Sequence, residues 1–488
     1  MATRSPLISF GLVLTLAGFS LTTPGCSTNL ATGEKHLNLV SESQEISMGK
    51  EYDTQVQGSL GLYDSPELQR YIQDLGARIA AKSERPNLPW TFRVVDDPTV
   101  NAFALPGGFI YVTRGILAYV DDEAQLAGVV GHEIGHITAK HSVNTLANQY
   151  LAQLGLGIGM ILAPEEVQKY GEIASAALSL LFLKFSRDDE TQADHLGVRY
   201  MARINKDPGE MIDVMNMLTR VSNASGGGRI PEWLATHPNP ENRAQQIRSE
   251  IDTMHRTWTT TQAKSDGYLD RLNGLIFGEN PREGYFKGNT FYQPDLEFQF
   301  NFPSGWKTAN QKQAVLAQSE AEDAIVQITL ASGTSADAAS TEFFSQQGIT
   351  AGARETTPIN GLRSAAGTFS ATTDDATVAG KVTFVENKGK VYQILGYSTQ
   401  QKWPGYESVV NGAARSFSHL TDPAALSVQP MKIKIVTLPQ AMTLEQFAQK
   451  YPSAVSIDAL ALANQAEKTT RFKAGEKLKQ IVAQKTQK

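Results

Sequence analysis

One stretch constrains this chain more than any other: Val129-Val130-Gly131-His132-Glu133-Ile134-Gly135-His136-Ile137, which contains His-Glu-x-x-His. Leu126, Val129, Val130, Ile134 and Ile137 recur at helical spacing, so the stretch is expected to be a helix. Asp121, Asp122 and Glu123 put negative charge where a helix N-terminus favours it. On such a helix His132 and His136 lie one above the other on one face. Two imidazoles placed that way can take two corners of one tetrahedral Zn²⁺. Glu133 then sits beside an open corner, where it can accept a proton from water held by the metal. Gly128, Gly131 and Gly135 weaken the helix, but they form a seam along which another element can approach closely. With 8 histidines in 488 residues, a chance match to the motif is expected in roughly one chain in a hundred.

The rest of such a site is to be sought downstream. Ser186-Arg187-Asp188-Asp189-Glu190 reads as the capped start of another helix. Glu190 and Asp194 are four apart on its face, where two like charges repel. The pair is explicable if a cation and a histidine neutralise it. Glu190 can then be a third zinc ligand, and Asp194 can accept a hydrogen bond from a ligand imidazole and fix its orientation. Further along, Thr236-His237-Pro238-Asn239-Pro240 holds His237 extended on a loop; by itself such a histidine reads as solvated.

Around these residues the chain divides by pattern. Residues 1–25, with Arg4 before the apolar run Leu7 to Phe19, read as a secretory signal. Cys26 is the single cysteine, so no internal disulfide can form. Its place directly after the signal resembles a bacterial lipoprotein processing site, with Ser27 matching outer-membrane sorting. Residues 26–43 are read as a lipidated tether. Helices are expected over about 43–57, 66–82 and 208–221, and from about 240 to 255. Trp90 to Val95 alternates like a strand. Asn101-Ala102-Phe103-Ala104 and Phe109 to Val112 read as a hairpin turning at Pro106-Gly107-Gly108. Its edge beside the metal helix can bind an extended substrate, which makes Asn101, Ala102 and Phe103 candidate substrate contacts. Two apolar runs, 144–163 and 173–185, are read as a buried helical hairpin over the site.

Residues 263–284, with a short apolar helix over Leu272 to Phe277, are read as a linker. Residues 285–422 alternate strand and helix patterns as a small α+β domain. Residues 430–484 run strand, helix, helix, strand. A net charge of −6 with no basic stripe excludes a nucleic-acid partner.

With these residues in view, the chain resembles the gluzincin family of the CAAX prenyl protease and HtpX type, in its soluble periplasmic lipoprotein branch. The resemblance covers about residues 36–260. It rests on His132-Glu133-x-x-His136, Glu190-x-x-Ala193-Asp194, Asn101-Ala102-Phe103 with Pro106-Gly107-Gly108, and Thr236-His237-Pro238 with Arg243. It implies an α+β fold: a zincin-like metallopeptidase domain over 44–262, mostly helical with a small edge sheet, ahead of the two smaller units. It implies one zinc per chain on His132, His136 and Glu190, with Glu133 as catalytic acid/base and Asp194 supporting a ligand. It also implies that His237 and Arg243 face the site. His237 then has two roles open to it, a fourth ligand that latches the site or a donor to the oxyanion at the scissile carbonyl; the donor role is preferred. The C-terminal unit looks like a LysM-type module, which would add peptidoglycan as a partner, although Pro439-Gln440-Ala441-Met442-Thr443 lacks the usual Gly-Asp. The expected function is hydrolysis of envelope proteins or unfolded polypeptides at the periplasmic side of an outer membrane, in protein quality control. The other class open is a non-proteolytic chaperone or cell-wall scaffold that keeps zinc for structure. Since every site residue precedes residue 244, the C-terminal unit is expected to be dispensable for hydrolysis.

Overall fold

The computed structural model describes residues 26–37, 40–145, 185–224, 232–237, 240–256, 258, 267–372 and 377–483. The expected signal (1–25) and most of the expected helical hairpin (146–184) lie outside the described residues.

The metal helix forms as its sequence dictates. It is α4 (Glu123–Thr138), and Asp122 caps it by accepting from Gln125 N at 2.8 Å. Every residue of α4 is buried. Before it come β1 (Cys26–Thr28), β2 (Lys35–Leu37), α1 (Glu42–Leu60), α2 (Pro66–Ala80), β3 (Thr91–Val95), β4 (Ala102–Leu105), β5 (Phe109–Thr113) and α3 (Arg114–Tyr119). After it come α5 (Arg187–Arg203), α6 (Glu210–Ala224), α7 (Glu232–Thr236) and α8 (Pro240–Thr253). β3 pairs parallel and β4 antiparallel with β5, so the order β3-β5-β4 leaves β4 at an edge. The β4–β5 turn uses Gly107 and Gly108 at φ +79° and +106°, a region that favours glycine.

The glycine seam of α4 faces α5. A Cβ on Gly135 would lie 2.9 Å from the Ala193 carbonyl oxygen, and one on Gly131 would lie 3.4 Å from Gly197 Cα. Ser186 caps α5 through a reciprocal bond with Asp189. The two helices therefore meet almost backbone to backbone, which brings Glu190 and Asp194 to the motif histidines.

Two assignments made from the sequence need correction. Residues 26–37 are not a plain tether: β1 and β2 form a hairpin, and Asn29 Nδ2 donates to the Ala139 carbonyl at 2.9 Å, at the C-terminal end of α4. Residues 263–284 are not a linker either. α9 (Tyr268–Arg271) precedes β6 (Ile276–Phe277), where an apolar helix was expected. Tyr268, Leu272, Leu275 and Phe277 are buried in the same core as α2 and α4.

Residues 285–422 form their own cores. Four antiparallel strands, β7 (Tyr285–Lys287), β8 (Thr290–Gln293), β9 (Phe298–Asn301) and β17 (Ser418–His419), adjoin a seven-stranded sheet. That sheet runs β10 (Lys307–Asn310), β11 (Ala314–Gln318), β12 (Ala324–Leu330), β16 (Lys390–Thr399), β15 (Thr377–Asn387), β14 (Ser364–Thr372), β13 (Ile349–Glu355). α10 (Ala336–Phe344) and α11 (Trp403–Arg415) pack on it.

The last unit has the expected strand-helix-helix-strand order: β18 (Met431–Thr437), α12 (Leu444–Lys450), α13 (Ile457–Ala463) and β21 (Lys477–Ala483), with a short pairing of β19 (Met442–Thr443) and β20 (Arg471–Phe472). It is not a separate appendage. β6 pairs with β18, and Ile433, Leu444, Phe447, Leu460 and Ile481 belong to the same core as α2 and α4. Lys479 is fully buried; its Nζ donates to the carbonyls of Ala118, Val120 and Ala463 at 2.7–2.9 Å and pairs with Asp121 at 2.9 Å. This packing speaks against the expectation that the unit is dispensable for hydrolysis, because its anchor holds the residues that lead into α4.

Candidate metal centre

α4, α5 and the turn after α7 bring one ligand atom each from His132, His136, Glu190 and His237 within 4.8 Å of one another, all four residues buried. His132 Nε2 lies 3.0 Å from His136 Nε2 and 3.3 Å from His237 Nδ1. Glu190 Oε1 is 2.8 Å from His237 Nδ1 and 3.5 Å from His136 Nε2, and its Oε2 is 3.6 Å from His132 Nε2. Ligands about 2.0–2.1 Å from a tetrahedral Zn²⁺ stand about 3.3 Å apart, so the donor set has the dimensions of such a site.

The protonation pattern also fits a cation. His132 Nδ1 lies 3.0 Å from Asp194 Oδ1, an oxygen that can only accept, so Nδ1 carries the hydrogen and the Nε2 lone pair points into the group. The Arg243 Nη2 at 3.4 Å from the same ring nitrogen is spent on Asp194 at 2.7 Å. Burial drives the His132 pKa down to about 4, with Asp194 opposing. Burial and the neighbouring imidazoles hold His136 well below its usual value. Two neutral imidazoles thus converge on one buried point beside a carboxylate, an arrangement that a divalent cation satisfies.

Arg243 ties the outer layer together. It forks onto Asp194 through Nε and Nη2, both at 2.7 Å, and Nη1 lies 2.8 Å from Glu190 Oε2. Burial alone would raise the Asp194 carboxyl, but the guanidinium and His132 hold it well below the usual range. Nη1 also donates to the His237 carbonyl at 3.2 Å, which helps hold His237 in place.

Glu133 is 1% exposed. Burial pushes its pKa up to about 7, against the pull of His237 and Trp233. Its Oε1 accepts from Trp233 Nε1 at 3.3 Å and lies 3.7 Å from His237 Nε2. Sequence reasoning missed Trp233, whose signal is a tryptophan one helical turn before His237. His141, five residues past His136, was missed as well.

Asn101 immediately precedes β4, and Ala102 and Phe103 begin it. Asn101 is 4% and Phe103 7% exposed, and Phe103 stacks on Tyr111 at 4.8 Å. Their side chains are thus largely committed to the interior, and the edge offers main chain. Cys26 starts β1, paired with Leu37.

Fold and site together define a metallopeptidase domain whose motif helix supplies two histidines and whose neighbouring helix supplies the acidic ligand. Residues 66–251 match the model of Peptidase family M48, which supports the metallopeptidase reading of this part of the chain. The chain is 30% identical over 245 residues to the "Beta-barrel assembly-enhancing protease" of Escherichia coli (strain K12), covering 48% of this chain and 49% of that protein. It is 32% identical over 205 residues to the "Mitochondrial metalloendopeptidase OMA1" of Schizosaccharomyces pombe, covering 40% of this chain and 59% of that protein. The chain thus spans about half the length of the Escherichia coli relative.

Proposed function

We propose that this protein is a zinc endopeptidase that hydrolyses envelope proteins on the periplasmic side of a Gram-negative outer membrane, in protein quality control. One observation carries the reading. Glu133, buried and with its carboxyl raised to about 7, lies 3.7 Å from His237, one of four residues whose donor atoms converge on one point. A bound zinc supplies polarisation of the scissile carbonyl and acidification of water. Glu133 takes the proton and hands it to the leaving amine. An extended substrate lies along the outer edge of β4, where main-chain groups give affinity without reading sequence closely.

His237 completes the donor set in this conformation, with its Nδ1 2.8 Å from Glu190 and 3.3 Å from His132. That supports the latch over the oxyanion donor preferred from sequence alone. Activity then requires the His237 loop to withdraw.

The relative named for β-barrel assembly supports envelope proteins as substrates. An acyl chain on Cys26 is the proposed anchor; among the described residues no helix is long and apolar enough to cross a membrane. The 430–484 unit, with its LysM-like order, is the proposed contact to peptidoglycan. A closed four-donor set also suits a structural zinc in a non-proteolytic scaffold. Such a site has no need of the buried Glu133.

The test is degradation of casein by purified protein. Cleavage that a chelator stops and zinc restores supports the reading; no cleavage by zinc-loaded protein, with His237 intact or replaced by alanine, overturns it.

A further inference from the structure

We propose that His141 is a positioning residue for the metal ligand His136, the centre of a hydrogen-bond relay that begins in the N-terminal hairpin at Glu34. The proposal rests on the metal reading of the site.

After α4 the chain reverses at Lys140, whose φ of +63° is a conformation lysine seldom adopts. The reversal folds His141 back under the helix, where it is 3% exposed. His141 Nδ1 lies 2.9 Å from His136 Nδ1, and its Nε2 lies 3.2 Å from Gln192 Oε1. Gln192 Nε2 donates in turn to Glu34 Oε1 at 3.0 Å. Asp189 Oδ1 adds an acceptor 3.5 Å from His141 Nε2.

The direction of this chain is fixed from its outer end. The Glu34 carboxylate can only accept, so Gln192 turns its NH₂ outward and its carbonyl toward His141. That carbonyl also only accepts, so His141 carries its hydrogen on Nε2. The neutral ring then offers a lone pair at Nδ1, which accepts the Nδ1–H of His136. His136 is left with its lone pair on Nε2, the nitrogen that faces His132 at 3.0 Å in the metal group. One tautomer satisfies every link, and it is the tautomer a metal ligand needs. Phe185 stacks on His136 at a centroid distance of 4.1 Å and holds the ring plane. An acceptor behind a ligand imidazole raises its basicity and fixes its aim. Asp194 performs that task for His132, and His141 performs it for His136.

The experiment measures zinc affinity of the full chain by competition with a chromophoric chelator, alongside the melting temperature of metal-free protein. His141→Phe keeps a ring of similar size without the acceptor and should weaken zinc binding about 10- to 100-fold. His141→Asn, which keeps an acceptor on a shorter arm, should recover part of the loss. Gln192→Leu breaks the relay one link out and should weaken binding by a smaller factor; it decides the matter if His141→Phe does not fold. Metal-free melting temperatures should stay close to wild type. Wild-type zinc affinity in both His141→Phe and Gln192→Leu would overturn the proposal, as would a lowered melting temperature with unchanged affinity. Wild-type protein that binds no zinc would overturn the metal reading itself.

Discussion

At the scale of single residues, the site combines two neutral imidazoles, an ionised carboxylate and one raised acid, with a guanidinium bound to the carboxylate. His132 and His136 stay neutral because burial disfavours their charged forms. Glu190 stays ionised, despite burial, because His237 and Arg243 stand against it. His237 is the residue whose role most affects output. As a latch it competes with water for the last corner, so His237→Ala should raise casein proteolysis and self-cleavage while zinc content holds on the other three donors. A fall in kcat with unchanged zinc would instead restore the oxyanion role, a contact worth roughly 3–4 kcal/mol in other enzymes. Unchanged kinetics would exclude both.

At the scale of elements, the decisive contact is the seam between α4 and α5. Gly135→Ala puts a methyl 2.9 Å from a backbone oxygen and 3.0 Å from Ala193 Cα. Neither can yield without moving the helix that carries Glu190. The substitution should destabilise the protein by about 1–3 kcal/mol and weaken zinc binding. Gly412→Ala, in α11 with nothing within 4 Å, should leave zinc affinity unchanged and stabilise by up to about 1 kcal/mol. Calorimetry and zinc titration of the two variants separate these outcomes; equal behaviour would deny the seam its role. The seam was legible in the sequence because three glycines in a helix cost stability and so imply a close neighbour. The two helices with their caps, the β4–β5 turn and the Glu190–Asp194 pair were legible for similar reasons, since each is a short-range signal. Trp233 and His141 were not. Their roles depend on a short helix far along the chain from the motif and on a left-handed lysine, and neither leaves a periodic trace.

At the scale of the whole molecule, sequence reading divided the chain where composition changed, and that misplaced two junctions. Residues 268–277 are few, and their apolar side chains pack on residues distant in sequence, so no local pattern marks them as core. The C-terminal unit reads as a module from its own order of elements, yet Lys479 reaches the end of α3 and the residues that lead into α4. Burial lowers the Lys479 pKa, and Asp121 opposes that shift. Removing one partner of a buried pair is costly, so Lys479→Met should destabilise the peptidase domain by about 3–5 kcal/mol. Deleting residues 430–488 should do more, because it also uncovers the apolar core shared with α9. Thermal melts and zinc retention check both; a truncated chain with wild-type melting temperature and proteolysis would show the unit to be an independent appendage after all.

The central claim is that Glu133 moves the proton in a hydrolysis at this metal group. The direct measurement is zinc content and casein cleavage of Glu133→Gln beside wild type. Glutamine keeps the shape and the contact to Trp233 but accepts no proton, so the account predicts full zinc occupancy, an unchanged fold and proteolysis lowered by at least about 100-fold. Glu133→Gln that holds zinc and cleaves casein at the wild-type rate would contradict it.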